Sequence, residues 1–356
     1  MTVGLVSAAM VLPLATPASA ATVSAPLAGG FVGPLGLAVG SDGSVYVAEA
    51  FSGELTSISK SGKRTTLVSG RDEVAGVTAT GKGTVTFVAS DYAASAFTLE
   101  QVLPNGRTQV LAQLGEYEKT VNPDRVNEYG FTDLTAECAA SVPQEVGGGL
   151  PRAGGIDSHP YAVAAIPGGW VVADAAGNDL VKVGAHGAVS TLAVLPVQPT
   201  TVTKAVLASF NEALAGEGES VTVPDCVVGA SYLGEPVPTD VELGPDGMLY
   251  VSTLPGFPEL PGSASVYRVH PRSGAISLVG TGFSGATDLA VAPDGTVYVA
   301  ELFGGQVSRL TAAGPVTVAA MAFPTAVEFA DGRLYVTQIP EFGDRIPIGQ
   351  VVVVTP

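Results

Sequence analysis

The chain has 356 residues and a formal net charge of −17 at pH 7, and only 14% of its residues are charged. This charge excludes tight binding to nucleic acid and disfavours anionic membrane surfaces, because the chain has no basic stripe that could displace counterions. Its 45 Gly and 26 Pro indicate many strands and tight turns rather than helices. Cationic partners, metal ions and neutral ligands remain open.

The N-terminal segment predicts export. Residues 3–14 form an apolar run that is too short to span a bilayer, and Ala18-Ser-Ala20 after it is a small-x-small cleavage site. No Lys or Arg precedes the run, so either the natural start lies upstream or the signal is weak. We predict a signal peptide over residues 1–20 and a secreted mature protein without a membrane span.

A repeat of about 16 residues occurs six times along the chain, and three copies are clear: 34–49, 238–253 and 286–301. Weaker copies lie at 75–90, 160–174 and 324–338. Each copy has the pattern of a short apolar strand, a turn that in most copies contains Asp-Gly, and a second β-branched strand. Two further strands follow most copies, and four strands in about 40 residues is the pattern of a β-propeller blade.

The two ends of the chain are predicted to share one blade. The last copy ends after its third strand, at residues 350–354, and residues 21–28 resemble the fourth strands of the other copies. Pairing of these segments would remove free sheet edges. We therefore predict an all-β, six-bladed propeller over residues 21–356, closed by the N-terminal strand, as a monomer.

Two partly helical insertions interrupt the repeat at about 113–157 and 195–236. Both fall on loops that share one face of a propeller, whereas the opposite face has tight turns, so we predict that the long-loop face is the functional one. A short helix is predicted over 133–140. A second is predicted from apolar residues at helical spacing, which favour packing onto the propeller over a ligand groove: Val202, Val206, Leu207, Phe210 and Leu214.

The chain has two cysteines, Cys138 in the first insertion and Cys226 in the second. In an exported protein, two cysteines on adjacent loops of one face predict a disulfide. A two-cysteine metal site is the weaker alternative, because no His or further Cys lies at ligand spacing.

Acidic side chains are predicted at the channel mouth on the long-loop face. In each of the six repeats the first strand begins there and the second strand ends there, which gives twelve positions. Five of them are acidic: Glu49, Asp174, Asp240, Asp288 and Glu301. Clustered carboxylates could bind Ca²⁺ or another divalent cation. The alternative is that each carboxylate accepts hydrogen bonds from backbone amides of a neighbouring blade.

His159 ends the first insertion and is also predicted to face this mouth. It lies in Asp157-Ser-His-Pro-Tyr161, but adjacent Asp, Ser and His do not make a catalytic triad, which is assembled from distant segments. A structural role at the base of the loop is favoured over contact with a ligand.

Four stretches resemble the ScyD/ScyE family, which is related to NHL-repeat propellers. They are Ser158-His-Pro-Tyr-Ala-Val163, Pro224-Asp-Cys-Val-Val-Gly229, Val237-Pro-Thr-Asp-Val-Glu-Leu-Gly-Pro-Asp-Gly247 and Leu249-Tyr-Val-Ser-Thr-Leu-Pro-Gly256. The resemblance implies a propeller but no catalytic residues. More distant relatives are streptogramin lyases and lactonases of the gluconolactonase type, whose tunnel binds a divalent metal through acidic and Asn side chains. The lyases depend on a histidine near the metal, and His159 is the only histidine on the required face, which makes a lyase doubtful.

These observations leave two hypotheses with catalytic residues unknown. The first is an exported propeller that binds a small ligand or an extracellular protein through the long-loop face. The alternative is a Ca²⁺-dependent hydrolase of lactonase type that uses the five acidic residues.

Overall fold

A computed structural model describes residues 21–81, 83–216, 218–340 and 346–356. The predicted signal peptide, residues 1–20, lies outside these ranges. Up to residue 113 the chain is built from short strands, because β-branched apolar runs alternate with turns that hold glycine at positive φ. These strands are β1 (Thr22–Val23), β2 (Ala28–Val32), β3 (Pro34–Val39), β4 (Val45–Glu49), β5 (Glu54–Ile58), β6 (Arg64–Val68), β7 (Glu73–Thr80), β8 (Thr84–Asp91), β9 (Ala96–Val102) and β10 (Thr108–Gln113).

The middle of the chain alternates between the repeat and the two insertions. The first insertion forms α1 (Leu114–Val121), a 3-10 turn at Pro123–Val126, β11 (Glu128–Thr132), α2 (Ala136–Ser141), a 3-10 turn at Gln144–Val146 and β12 (Arg152–Ala153). The repeat returns as β13 (Pro160–Ile166), β14 (Gly169–Asp174), β15 (Asp179–Gly184) and β16 (Val189–Val194). The second insertion forms β17 (Gln198–Thr201), α3 (Lys204–Gly216), a 3-10 turn at Asp225–Val227 and β18 (Ser231–Gly234).

The last part of the chain is again repeat. Its strands are β19 (Pro238–Leu243), β20 (Leu249–Thr253), β21 (Ala264–Val269), β22 (Ile276–Phe283), β23 (Ala286–Val291), β24 (Val297–Glu301), β25 (Gln306–Thr311), β26 (Gly314–Ala320), β27 (Pro324–Ala330), β28 (Arg333–Gln338) and β29 (Ile348–Thr355).

Most of these strands pair with their sequence neighbours in four-stranded antiparallel sheets. The sets are β3–β6, β7–β10, β13–β16, β19–β22 and β23–β26. In a further sheet, β27, β28 and β29 are joined by the N-terminal strands, since Thr22 pairs with Thr355 and Ala28 with Val351. The fold is therefore mostly β, in the sheets predicted for propeller blades.

The apolar core is divided among the junctions between consecutive sheets. Val171 and Leu180 of the β13–β16 sheet, for example, pack with Val241, Leu249 and Val251 of the β19–β22 sheet. Similar clusters lie at the other junctions, including one in which Ala326 and Val351 pack against Val45 and Val47. The first strands follow the same order, β3 against β7, β7 against β13, β13 against β19, β19 against β23, β23 against β27, and β27 against β3.

A β-bulge recurs near the start of the first strands and determines what faces the centre. The pairing register shifts between Pro238 and Asp240 in β19, and between Ala286 and Asp288 in β23. Equivalent shifts occur in β3, β7, β13 and β27. A bulge changes the direction of the side chain beside it. The repeat therefore places the residues that follow the bulge, such as Asp240 and Asp288, at equivalent positions in their strands.

The two insertions form one unit that the sequence did not predict. Strands of both share a sheet in the order β12-β11-β18-β17, and residues of both build a separate apolar cluster, including Phe131, Phe210 and Leu214. The predicted disulfide is confirmed: Cys138 and Cys226 are bonded, with their α-carbons 5.9 Å apart. Leu207, Phe210 and Leu214 of α3 face this cluster, and the ring of Phe210 also packs against Phe257 of the β20–β21 loop, with centroids 5.7 Å apart. The helix therefore packs within the insertion unit and against one loop of the propeller.

The first predicted helix begins later than expected. The prediction was 133–140, but α2 begins at Ala136, where the Thr135 hydroxyl accepts a hydrogen bond from Cys138 N at 3.2 Å. Asp133 has a φ of 64° and cannot be helical.

Among the described residues, no helix is long and apolar enough to cross a membrane.

Candidate functional site

The structure places the five predicted mouth residues in two different settings. Asp240 and Asp288 line a central cavity of about 300 Å³ between the first strands. Glu49, Asp174 and Glu301, at the ends of second strands, instead have their carboxylates bound by backbone N–H groups that lie 15 or 17 residues earlier in the chain. The first strands therefore supply the acidic lining of the cavity.

Two further acids of this cavity, Glu242 and Glu328, were missed from the sequence. Glu242 lies two residues beyond Asp240, and Glu328 lies two residues beyond Ala326, which holds the equivalent position in β27. Because alternate residues of a strand face the same side, the period of two could have identified both.

The cavity acids bind the backbone of the next sheet. Asp240 Oδ2 accepts a hydrogen bond from Leu289 N at 3.2 Å, and Asp288 Oδ1 accepts one from Val327 N at 3.0 Å. Glu242 Oε2 is 3.4 Å from Val291 N. This is the arrangement that the hydrogen-bonding interpretation describes.

Burial makes these acids hold protons more strongly than usual. It raises the pKa of Asp240 to about 7. Burial raises the pKa of Glu242 well above its ordinary value, with the charge of Glu328 adding to the effect. Burial and the charge of Asp240 do the same for the pKa of Asp288. The cavity therefore favours a proton or a positively charged group near neutral pH.

The cavity between the first strands is larger toward the tight turns than at the start of these strands, where Asp240 and Asp288 also line a smaller space. At the start of the first strands, the space lined by Gly36, Gly76 and Tyr161 measures about 20 Å³. A Cβ on Gly36 would lie 2.3 Å from Ala75 O, and one on Gly76 would lie 2.4 Å from Tyr161 O. The strands approach so closely here that the larger cavity extends toward the tight turns instead.

Glu49 and Glu301 each bind the segment of chain that leads into the first strand of their own sheet. Glu49 accepts hydrogen bonds from Val32 N at 2.8 Å and from the Thr56 hydroxyl at 2.6 Å. Glu301 accepts from Ser284 N at 2.8 Å and from the Gln306 side chain at 2.9 Å. These two residues therefore hold equivalent loops in two sheets.

Asp174 is the most fully bonded of the three. It accepts from the Ser158 hydroxyl at 2.6 Å, His159 N at 2.7 Å and Gly177 N at 3.0 Å.

Among the described residues, no three His, Cys, Asp or Glu side chains are arranged to hold a metal ion. The predicted metal site stays a prediction.

His159 lies at the base of the first insertion, beside Glu73. Its Nε2 is 2.9 Å from Glu73 Oε2, which also accepts a hydrogen bond from the Tyr92 hydroxyl. Burial would lower the pKa of His159, but the hydrogen bond and charge of Glu73 raise it overall. The His159 ring packs against Tyr92 and Tyr161. This contact with Glu73 had no signal in the sequence.

Exposed apolar side chains are unevenly distributed between the two faces. Phe51 and Phe303, each two residues after a second strand, are 54% and 52% exposed. Other exposed apolar residues on the long-loop side are Tyr92, Val126, Leu150, Ile156, Val228, Ile346 and Ile348. The remaining ones among the described residues lie on outer strands: Val23, Val110, Leu278, Val279 and Val316. The tight turns of the opposite face contribute none within the described ranges.

No protein-family model matches the chain, and a search of curated proteins finds no similar sequence. Solved structures do match. A proposed oxidoreductase (glucose dehydrogenase) of Thermus thermophilus is 16% identical, with a TM-score of 0.56 over 94% of this chain and 99% of that one. A gluconolactonase of Xanthomonas campestris is 11% identical, with a TM-score of 0.55 over 93% and 88%.

The aldose sugar dehydrogenase of Streptomyces coelicolor, solved with PQQ bound, is 13% identical and has a TM-score of 0.54 over 94% of this chain and 98% of that one. At such identities the likeness concerns the fold and not the reaction. Since these neighbours are β-propeller proteins, the chain has the fold of a β-propeller.

Proposed function

We propose that this protein is an exported six-bladed β-propeller of the ScyD/ScyE type that binds a small ligand or a protein partner through its long-loop face. Six sheets carry the repeat, and their first strands contact one another in a cyclic order that returns from β27 to β3. Pairing of Thr22 with Thr355 supports closure by the N-terminal strand. The four resembling sequence stretches support the family.

Export is supported by two features. Residues 3–14 form a short apolar run and Ala18-Ser-Ala20 a small-x-small cleavage site, two of the features of a signal peptide. The Cys138–Cys226 disulfide is typical of proteins that work in oxidising compartments.

The observation that carries the binding proposal is the one-sided distribution of exposed apolar residues. Phe303, Ile346, Phe51 and Tyr92 belong to four sheets that follow one another around the ring, and the insertion unit, with exposed Ile156, rises beside them. A concentration of exposed apolar side chains on one face supports the proposal that this face contacts a partner.

The rings of Phe51 and Phe303 each pack on one side against a glycine. A Cβ on Gly33 would lie 2.5 Å from the Phe51 ring, and a Cβ on Gly285 would lie 2.5 Å from the Phe303 ring. The rest of both rings is free to contact a partner.

A matched pair of triple variants tests this proposal. Replacing Phe51, Ile156 and Phe303 by Ser should greatly reduce binding of the neutral apolar dye Nile red to the folded mature protein. The control replaces Val110, Leu278 and Val316, which are similarly exposed on outer strands, and should bind the dye as the unaltered protein does. Equal losses in the two variants would contradict a specific binding face.

The central cavity supports a second candidate, the metal-dependent hydrolase of lactonase type. Asp240 and Asp288 share that cavity with Glu242 and Glu328, and carboxylates are ligands for Ca²⁺. The test is hydrolysis of gluconolactone with and without added Ca²⁺. Activity that needs Ca²⁺ and disappears in Asp240→Asn with Asp288→Asn would support this function. An absence of turnover above the spontaneous rate would argue against it.

A further inference from the structure

A second group of buried acids lies away from the channel, where the first insertion meets the β13–β16 sheet. Glu118 is on α1, Asp124 is in the following 3-10 turn, and Asp179 begins β15. Their exposed fractions are 4%, 1% and 1%. Three separate segments therefore bring carboxyl groups into one dry region.

Four of the six carboxylate oxygens of this group lack partners. Glu118 Oε1, Asp124 Oδ1 and both carboxylate oxygens of Asp179 have no hydrogen bond, and neither does the side-chain oxygen of Asn122. These five atoms are more than half of the nine buried side-chain polar atoms without a partner in the described ranges. Because buried polar atoms are nearly always bonded, their concentration here points to an absent ligand.

No basic side chain compensates the charge. None of the ion pairs in the described part of the chain includes Glu118, Asp124 or Asp179. Burial, with the charges of Asp174 and Asp124, raises the pKa of Glu118 to about 8. Burial and the charges of Asp174, Glu118 and Asp124 raise the pKa of Asp179 well above its ordinary value.

Protons alone would not satisfy this region. A protonated carboxyl group needs an acceptor for its proton, and neither oxygen of Asp179 has any hydrogen-bond partner. The other oxygen of Asp124 already accepts hydrogen bonds at 3.1 Å from the Tyr129 hydroxyl and from Asn178 Nδ2. A cation, by contrast, can accept electron pairs from all of the unpartnered oxygens together.

We propose that Glu118, Asp124 and Asp179, with the side-chain oxygen of Asn122, bind a Ca²⁺ ion between the first insertion and the β13–β16 sheet. The donors are all oxygens, which excludes the usual zinc sets of Cys and His. Ca²⁺ accepts six to eight oxygen ligands in flexible geometry, whereas Mg²⁺ retains several waters, for which a buried site is poorly suited.

The side chains are not gathered at ligand distances in the described structure, so the ion would draw them together. Asp174 is excluded as a ligand, because its carboxylate accepts three hydrogen bonds from Ser158, His159 and Gly177. Its charge makes the region more attractive to a cation. A bound ion would fix α1 to the β13–β16 sheet, and this role is independent of what the long-loop face binds.

The test compares the folded mature protein in Ca²⁺ and in EDTA, by calorimetric titration and by thermal unfolding. We expect one Ca²⁺ per chain and a higher Tm in Ca²⁺. Glu118→Gln with Asp179→Asn should weaken Ca²⁺ binding at least about tenfold, because the number of charged ligands sets affinity. In EDTA the same variant should have a higher Tm than the unaltered protein, since mutual repulsion is relieved.

The comparison variant is Asp240→Asn with Asp288→Asn, which removes two carboxylates from the channel, the other candidate Ca²⁺ site; an ion bound by Glu118, Asp124 and Asp179 should keep its response in this variant. Loss of the response in this comparison variant, with its retention in the Glu118/Asp179 variant, would place the ion in the channel and overturn the proposal. A Tm of the unaltered protein that is the same in Ca²⁺ and in EDTA, with no heat of binding, would overturn it even if the double variant failed to fold.

Discussion

Two groups of buried acids differ in what they bind. The channel acids Asp240 and Asp288 accept hydrogen bonds from the backbone of the next sheet and face a cavity of about 300 Å³. The acids Glu118 and Asp179, where the first insertion meets the β13–β16 sheet, are also buried but have unpartnered oxygens. Burial alone therefore does not identify a functional carboxylate, and the donors around it decide whether the fold already uses its charge.

The difference follows from how each group is built. In the channel, a bulge recurs in every first strand, so the same turn of the backbone offers an N–H to the preceding sheet. At the junction, Glu118 comes from an insertion that has no equivalent elsewhere in the chain. The repeated strands therefore supply backbone N–H donors to Asp240 and Asp288, whereas the single contact of the first insertion with the β13–β16 sheet supplies none to the unpartnered oxygens of Glu118 and Asp179.

The largest effect should come from removing the disulfide that joins the two insertions. Cys138→Ser with Cys226→Ser removes a bond between residues 88 apart in sequence. We expect a loss of about 2–5 kcal/mol in the stability of the insertion unit, because the unfolded chain regains freedom. Thermal unfolding with and without reductant measures it, and an unchanged Tm would contradict this expectation.

The next effect concerns pH and should appear in the channel. Asp240 has a raised pKa of about 7 in the folded protein against an ordinary 3.8, so the folded state binds more protons than the unfolded state between these values. Stability should therefore fall as pH rises from about 4 to about 7, by up to a few kcal/mol, since one pKa unit corresponds to about 1.4 kcal/mol. Asp240→Asn should flatten this dependence in urea unfolding between these pH values.

A smaller effect should distinguish charge from hydrogen bonding. Asp288→Ala leaves Val327 N without its acceptor and should destabilise the protein by about 1–3 kcal/mol. Asp288→Asn keeps an acceptor oxygen and removes the charge, so stability at pH 7 should be equal or higher. If both variants lost the same stability in urea unfolding, the hydrogen bond would not be the important contact.

The smallest effect should come from His159 and Glu73, an acid that has its own cationic partner. The raised pKa of His159 stabilises the fold below its ordinary 6.5, and this contribution is lost as pH rises through the folded value. The lowered pKa of Glu73 stabilises the fold above its ordinary 4.5 and is lost as pH falls through the folded value.

The pair should therefore contribute most between these two ordinary values, and His159→Gln should cost about 1 kcal/mol or less there because the ring is partly exposed. Urea unfolding of both proteins at pH 5.5 and pH 8.5 measures the difference. A cost that is the same at both pH values would contradict the ion pair.

The repeat made much of this fold predictable, because its strands and turns are local features. Val45 and Val47 are β-branched residues two positions apart, the spacing of one face of a strand, and they lie in β4 as expected. Gly43 lies in the preceding turn at positive φ, as the Asp-Gly sequence indicates. The cysteine pair was predictable because no other cysteine competes. Glu242 could also have been found, since it follows Asp240 at the same period.

The rest depends on contacts between segments far apart in sequence. Phe131 in β11 pairs with Tyr232 in β18, and neither short strand has a pattern that names its partner. Glu118 and Asp179 are likewise brought close only by the folding of the insertion onto a sheet. Glu49, Asp174 and Glu301 end their strands, whereas Asp240 and Asp288 are each the third residue of a strand. Hydrogen bonds such as the one from Val32 N to Glu49 could not be read from composition.

The sheet shared by the two insertions has a consequence for protein engineering. Its central strands β11 and β18 come from different insertions and pair with each other, so neither loop can be shortened without leaving the other with an open edge and half a core. Anyone who wishes to simplify this face must remove both segments together, and anyone who wishes to graft it elsewhere must transplant both.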